Sequence, residues 1–437
     1  VNVISDDATG NASVERQVFE RHIYVGLAWH GHALVQAVGL LKLARRGVME
    51  SGEFAYGLRY LQDPQAQPLN PNHLPLQEAA FTLPERRIRD GGALPLTLHD
   101  ALPDSWGRRV LEVQQGRPLS DLEALLLTND DRVGAMVFSE TLPIRVTEPA
   151  ATLLSLGELA DASSRIENGM TVAPQMLQLL RGGASLGGAR PKATFVHQGR
   201  RCIAKFASRA DEFDMEVVEA ATLTLAVQCG ITVPPFHLVS LAQGHALLLE
   251  RFDRTGPVAV PLAEAMASEH RVHYLSCSAL LNVPYASSEG SYVELAQTLR
   301  RISAQPVKDV TELFQRMVFN LVVGNSDDHV KNHGVLHAGK GLWRLAPAFD
   351  LVAQLDSHTG YQELAILPGR HASSLSLARE AVPHFGLSMQ QADDIIANIA
   401  RTVSGLANGV IQSSGGDGRL GQRFTAFVKA QMKRIDD

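Results

Sequence analysis

Eleven consecutive residues, Gly324-Asn325-Ser326-Asp327-Asp328-His329-Val330-Lys331-Asn332-His333-Gly334, hold two carboxylates, two imidazoles, an ammonium and three amide or hydroxyl side chains. No other window of the chain is as dense in reactive groups. Phosphoryl transfer to a hydroxyl needs parts of this kind. A carboxylate orients the nucleophile and accepts its proton, oxygen ligands hold Mg²⁺ against the phosphates, and a lysine steadies the α and β phosphates. In a catalytic loop of that type the base stands five residues before a metal-binding Asn, with a further metal-binding Asp downstream. Asp327 stands five residues before Asn332, and Asp350 follows a predicted hairpin at 335–345. That spacing selects Asp327 over Asp328 as the base and leaves Asp328 to hydrogen-bond locally. His329 either contacts a phosphate or braces the loop; His333 reads as structural. A zinc-hydrolase reading fails, because His329 and His333 lie four apart without an H-E-x-x-H pattern.

The remaining parts must come from upstream. Residues 182–188 carry four glycines in seven positions, too many for the interior of a helix or strand. Such turns bring backbone N–H groups close to phosphate oxygens, although alone they are weak signals. Two strands follow, around 193–196 and 202–206, with a tight turn between them. Alternation puts Lys205 on the face of Ile203 and Ala207, a costly place for a lysine that neither meets an anion nor snorkels to solvent. A helix is predicted at 214–229, capped by Asp214 and ended by Gly230. Glu219 lies beside its apolar stripe, either to hold Lys205 or as a solvated surface glutamate. Strands at 236–239 and 246–249 lead to Glu250-Arg251-Phe252.

Other stretches serve as framework. Residues 20–100 read as a small, mostly β module, with a hairpin turn at Trp29 to His32. Residues 98–113 form a loop running into a helix capped by Asp104 or Ser105. Its Asp104, Trp106 and Arg108 belong to a site or, on the plainer reading, to a helix that docks one domain on another. Strand 135–138 and helices near 119–126 and 150–160 follow. From about 256 the text is mainly helical, with Thr311 as the expected cap of the helix leading into the 324–334 stretch. The chain has 437 residues, 45% of them hydrophobic, which suits two or three domains. A net charge of −6 gives no global pull toward nucleic acid. Cys202, Cys229 and Cys277 fit neither a zinc site nor a disulfide framework, pointing to a reducing cytoplasm. No transmembrane helix or signal peptide is expected.

The chain resembles the HipA-type toxin kinases of bacterial toxin–antitoxin systems. The matching segments are L-P-D-S-W-G-R-R (102–109), S-L-G-G-A-R-P-K (185–192), I-A-K-F (203–206), L-E-R-F-D-R (249–254), V-F-N-L-V-V-G-N-S-D-D-H-V-K-N-H-G (318–334) and A-P-A-F-D-L (346–351). The resemblance implies an α+β, two-lobed, protein-kinase-like fold. A tail (1–18) would precede a β-rich N-terminal subdomain (19–135), an N-lobe with the Gly-rich loop (136–255) and an all-helical C-lobe (256–437). It implies a cytoplasmic Ser/Thr protein kinase that uses ATP and Mg²⁺ on a translation component such as an aminoacyl-tRNA synthetase. Asp327 would be the base, Asn332 and Asp350 the metal ligands, Lys205 and Lys192 the lysines at the nucleotide, and Glu219 the partner of Lys205. Ser185, Leu186, Gly187, Gly188 and Ala189 would cradle the phosphates with His329, and the backbone from Glu250 to Phe252 would meet the adenine. Ser185 would be autophosphorylated, and its added charge would repel the phosphates of ATP. The implied partner is a HipB-like helix-turn-helix antitoxin, through which DNA is mainly reached. Arg190-Pro191 departs from the Gln and Glu of the best-known member. Two other readings stay open: a small-molecule phosphotransferase, whose turnover would depend on a metabolite, and an inactive scaffold for antitoxin and DNA, which would bind no ATP.

Overall fold

The computed structural model describes residues 19–29, 34–35, 37–146, 155–173, 176–177, 180, 189–256, 270–284, 287, 289–356 and 360–436. The expected tail, the turn residues 30–33 and the 181–188 stretch of the Gly-rich loop lie outside these, and with them Ser185, Leu186, Gly187 and Gly188.

Phe19–Leu27, Ala37–Arg46, Met49–Tyr56, Phe81–Arg87 and Met136–Ser139 form one antiparallel sheet. Period-two alternation turns Ile23, Val25, Leu41, Leu43, Phe54 and Tyr56 into a shared core. The strand Met136–Ser139, assigned from sequence to the next unit, instead pairs with the first strand, Phe138 opposite Val25. The first sheet therefore continues past residue 135.

The second sheet has the order Phe236–Ser240, His245–Glu250, Arg200–Phe206, Lys192–His197, all antiparallel. Gln198 and Gly199 both have positive φ, +49° and +73°, as a two-residue hairpin turn requires. Ala246 and Leu248 pack toward the helix Leu156–Glu167, while Leu247 and Leu249 join the core that contains Val217, Val218 and Ala221. The last three sit on the helix Met215–Gln228, capped by the Asp214 carboxylate accepting the Val217 N–H at 3.2 Å. Gly230 follows it at φ +78°.

The C-terminal part is built around the helix Pro306–Val323. It begins five residues before Thr311, because Pro306 at its first turn has φ preset for a helix and loses no needed N–H bond. Leu313, Phe314, Met317, Val318 and Leu321 are buried as their spacing demands. The helix stops at Gly324, φ +72°, where a Cβ would stand 2.6 Å from the Phe427 ring. Helices Leu375–Phe385, Met389–Ser413 and Gly418–Asp436 pack around it. The region is not entirely helical. The expected hairpin, Gly334–Gly339 with Leu342–Leu345, gains a third strand, Tyr274–Ser276, too short to show a period in sequence. Among the described residues no helix is long and apolar enough to cross a membrane.

A buried Arg–Asp knot fastens the first sheet unit to the second. Arg251 donates to Asp131 Oδ1 at 2.8 Å and to the Arg132 carbonyl at 2.9 Å. Asp253 accepts from Arg251, Arg254 and the Gly134 N–H, all at 2.7 Å. The first unit also reaches the helical part: Asn70 Nδ2 donates to the Ala279 carbonyl at 2.9 Å, and Asp100 accepts from the N–H and hydroxyl of Ser276 at 2.7 and 2.6 Å.

Candidate active site

The Lys205 strand is central in its sheet, so its side chain rises from a wall rather than an edge. Lys192 and Leu247 are its register partners on either side. The Lys205 ammonium donates to Glu219 Oε1 and Oε2 at 2.7 and 2.9 Å and to Asp350 Oδ1 at 2.8 Å. Lys205 and Glu219 are both buried. The two carboxylates raise the Lys205 pKa against the opposing effect of burial. Burial raises that of Glu219, with Lys205 pulling it down. Lys205 holds the Asp350 carboxyl well below the usual range. Asp350 adopts φ +57°, a backbone conformation that costs a non-glycine residue on the order of 1 kcal/mol and clusters at functional sites. Beside this triple, burial and the Lys205 charge lower Lys192 to about 8. The Asp350, Asp104 and Glu219 charges oppose that shift, so carboxylates already stand near both ammoniums.

The 324–334 stretch faces the same space. Its shape is set by internal bonds: the Asp327 carbonyl accepts the His329 N–H at 3.0 Å and Asn332 Nδ2 at 3.1 Å. The second bond leaves Asn332 Oδ1 as the acceptor end of that amide. Burial pushes the Asp327 pKa up, aided by the Asp350, Glu363 and Asp328 charges and opposed by His329. Asp328 points inward, is buried, and accepts from the Tyr292 hydroxyl and from His333 Nε2 at 2.9 Å. Asn320 Nδ2 donates in turn to Tyr292 Oη at 3.1 Å. The two neighbours differ in setting: Asp327 is exposed, while Asp328 and His333 are buried and brace the loop. Gly334 permits the loop to leave under Tyr274, where a Cβ would stand 2.3 Å from the ring.

The cleft between these walls encloses about 230 Å³. Lys192, Lys205, His329, Lys331, Asn332 and Asp350 line its polar end. Ala189, Ile203, Leu249, Glu250, Phe252 and Phe349 line the rest, with Phe252 and Phe349 ring centroids 5.6 Å apart. A further wall comes from the first unit: Asp100, Leu102, Asp104 and Ser105, of which the sequence offers only Asp104 as a possible site residue. Asp104 occupies the N-cap of the helix Ser105–Gln115, but its carboxylate makes no cap bond and pairs with Lys331 instead. Trp106 Nε1 donates to the Lys192 carbonyl at 2.9 Å, so the plainer docking reading holds for Trp106. Arg108 bonds Asp121 and the Leu119 carbonyl within its own unit. Asp100, buried against Ser276, has its pKa raised by burial to about 6. Among the described residues no group of three or more His, Cys, Asp or Glu forms a metal cage. One carboxylate and one amide oxygen, Asp350 and Asn332, suit Mg²⁺, which takes few protein ligands and completes its shell with water and phosphate oxygens.

Comparison with known proteins bears on the family and the fold. A family model described as the HipA-like C-terminal domain matches residues 184–406. Y4mE of Sinorhizobium fredii, a kinase by name, is 29% identical over 330 residues, 69% of this chain and 71% of the relative. The serine/threonine-protein kinase toxin HipA of Shewanella oneidensis is 24% identical over 321 residues, 66% of this chain and 70% of the relative. The solved structure of Shewanella oneidensis HipA with HipB and operator DNA aligns with a TM-score of 0.66 at 18% identity, covering 94% of this chain and 96% of that one. The fold is shared, and with the family model spanning half of its length the chain belongs to the HipA-like C-terminal domain family.

Proposed function

We propose that the chain is a toxin-type serine/threonine protein kinase that transfers the γ-phosphate of ATP to a protein hydroxyl. The observation that carries this reading is Lys205, buried between Glu219 and Asp350 and facing the same cleft as His329 and Asn332, with Asp327 close enough for the Asp350 charge to raise its pKa. Lys205 and Lys192 neutralise the α and β phosphates, and Glu219 fixes the direction of Lys205. Asp350 and Asn332 hold Mg²⁺, which when bound neutralises the charge on the transferring phosphate. Asp327 accepts the hydroxyl proton, a task helped by its raised pKa. His329 contacts the phosphate end, and the backbone from Glu250 to Phe252 takes the adenine against Phe252 and Phe349. Ala189 and the residues before it cradle the phosphates, and Ser185 is the site of a self-inhibiting phosphorylation.

The protein substrate is a translation component such as an aminoacyl-tRNA synthetase. The partner is a HipB-like antitoxin through which DNA is reached; the solved Shewanella complex of HipA, HipB and operator DNA supports that assignment. The test is incubation of the purified chain with labelled Mg-ATP, with and without a cell lysate, followed by intact-mass analysis. A labelled lysate protein and one phosphate on Ser185 are expected. Turnover that needs a small molecule and labels no protein would overturn the proposal.

A further inference from the structure

Arg190 stands two residues before Lys192, where the chain departs from the best-known member of the family it resembles. Its Nη1 and Nη2 donate to the two oxygens of Asp211 at 2.5 and 2.7 Å, and Nη2 donates also to Glu216 Oε1 at 2.8 Å. Asp211 is itself anchored, accepting the Ser208 N–H at 2.7 Å. Ser208 Oγ and the Arg209 N–H then bond Glu167 at 2.7 and 3.0 Å. Glu216 is 2% exposed and lies in the first turn of the Glu219 helix, three residues before Glu219. Residues three apart share a helix face, so Glu216 and Glu219 tie one face of that helix to Lys205 on its strand and to Arg190 just before the neighbouring strand Lys192–His197.

We propose that Arg190 is a positioning residue that sets the helix Met215–Gln228 against the Lys205 strand, so that Glu219 meets Lys205. The inference rests on the kinase reading of the cleft. A carboxylate as buried as Glu216 is costly unless paired. Burial pushes its pKa up and Arg190 pulls it back. Without the guanidinium, the first turn rotates outward to hydrate Glu216. Glu219, one turn on, moves with it. Lys205 is then left to Asp350, the residue needed at the metal. Arg190 touches no substrate; it acts through Glu219, and its charge also helps keep Glu219 ionised.

The experiment uses the full chain with Arg190→Ala, Arg190→Lys and Arg190→Ala combined with Glu216→Gln, each made in the natural background and with Glu219→Gln. Mg-ATP affinity is read by calorimetry, KM for ATP and kcat by turnover, and folding by thermal melts. Arg190→Ala weakens ATP binding on the order of tenfold, part of the ~10²-fold that a misplacement of about 1 Å can cost. Arg190→Lys recovers part of this, since one ammonium cannot span Asp211 and Glu216 as a planar fork does. Glu216→Gln added to Arg190→Ala restores part of the affinity, because a neutral amide carries no charge to hydrate, and serves if Arg190→Ala alone fails to fold. With Glu219→Gln already present, removing Arg190 changes ATP affinity less than about twofold, because its route of action is gone. A lower melting temperature with unchanged ATP affinity and KM, or the same fold-loss in both backgrounds, overturns the role of Arg190. If the natural chain binds no Mg-ATP, the kinase reading falls and the inference with it.

Discussion

Replacing Lys205 by Met keeps the length of the side chain and removes its charge. Two carboxylates lose their ammonium. Asp350 lies on the cleft wall, where water replaces the lost partner. Glu219 is 4% exposed and has no such recourse. Burial already raises its pKa with Lys205 present; with the main opposing charge gone, folded Glu219 keeps its proton to higher pH. Unfolded Glu219 releases it near the ordinary 4.5. The folded state then binds more protons than the unfolded state, so stability falls as pH rises, by up to ~1.4 kcal/mol per unit. Near pH 5 the variant loses about 1 kcal/mol, the scale of the exchanged hydrogen bonds. Near pH 8 it loses ~3–5 kcal/mol, the scale of a buried charge left without its partner. Urea unfolding of both proteins at pH 5, 6, 7 and 8 measures the difference. Glu219→Gln added to Lys205→Met restores most of the loss at pH 8 and little at pH 5. Parallel stability curves for Lys205→Met and the natural chain would refute the reasoning, since they would mean that Glu219 gains no proton.

Asp327→Asn leaves Mg-ATP binding within about twofold by calorimetry and lowers phosphoryl transfer by ~10²–10⁴-fold, the usual contribution of a positioned base. Tyr292→Phe removes one bond to Asp328 and lowers stability by about 1–2 kcal/mol in urea unfolding, with reduced transfer because the loop loses its brace. Gly334→Ala drives a methyl into the Tyr274 ring and costs about 1–3 kcal/mol or more by the same measurement. Asp104→Ala, removing the partly exposed partner of Lys331, changes stability by less than about 1 kcal/mol, which a double-mutant cycle with Lys331→Ala checks.

The loop at 324–334 was readable because its chemistry is local. Five residues separate Asp327 from Asn332, and the bond between Asn332 and the Asp327 carbonyl needs only that spacing. Lys205 and Glu219 were readable for a related reason, a strand and a helix adjacent in sequence whose periods aim two charges inward. The first unit's wall was not. Asp104 and Lys331 are 227 residues apart, and the sequence leaves Asp104 open between a helix cap and a site residue without naming its partner. Tyr292 reaches Asp328 across 36 residues with nothing local to announce it. Met136–Ser139 has the same apolar alternation whichever sheet it joins; pairing with Phe19–Leu27 is decided by distant partners. Thr311 failed as a cap because Pro306 already offered a better start to the same helix.

The Arg–Asp knot changes how the cleft can move. Arg251 and Asp253, beside Phe252, are bolted to residues 131–134, and the same first unit grips Ser276, Ala279 and Lys331 on the other side. A two-lobed enzyme usually opens by bending at the joint between its lobes. Here a third body spans that joint like a plate screwed across a hinge. On the proposed kinase reading, nucleotide residence time would depend on how often the plate lets go of the helical side, not on the contacts of the nucleotide alone.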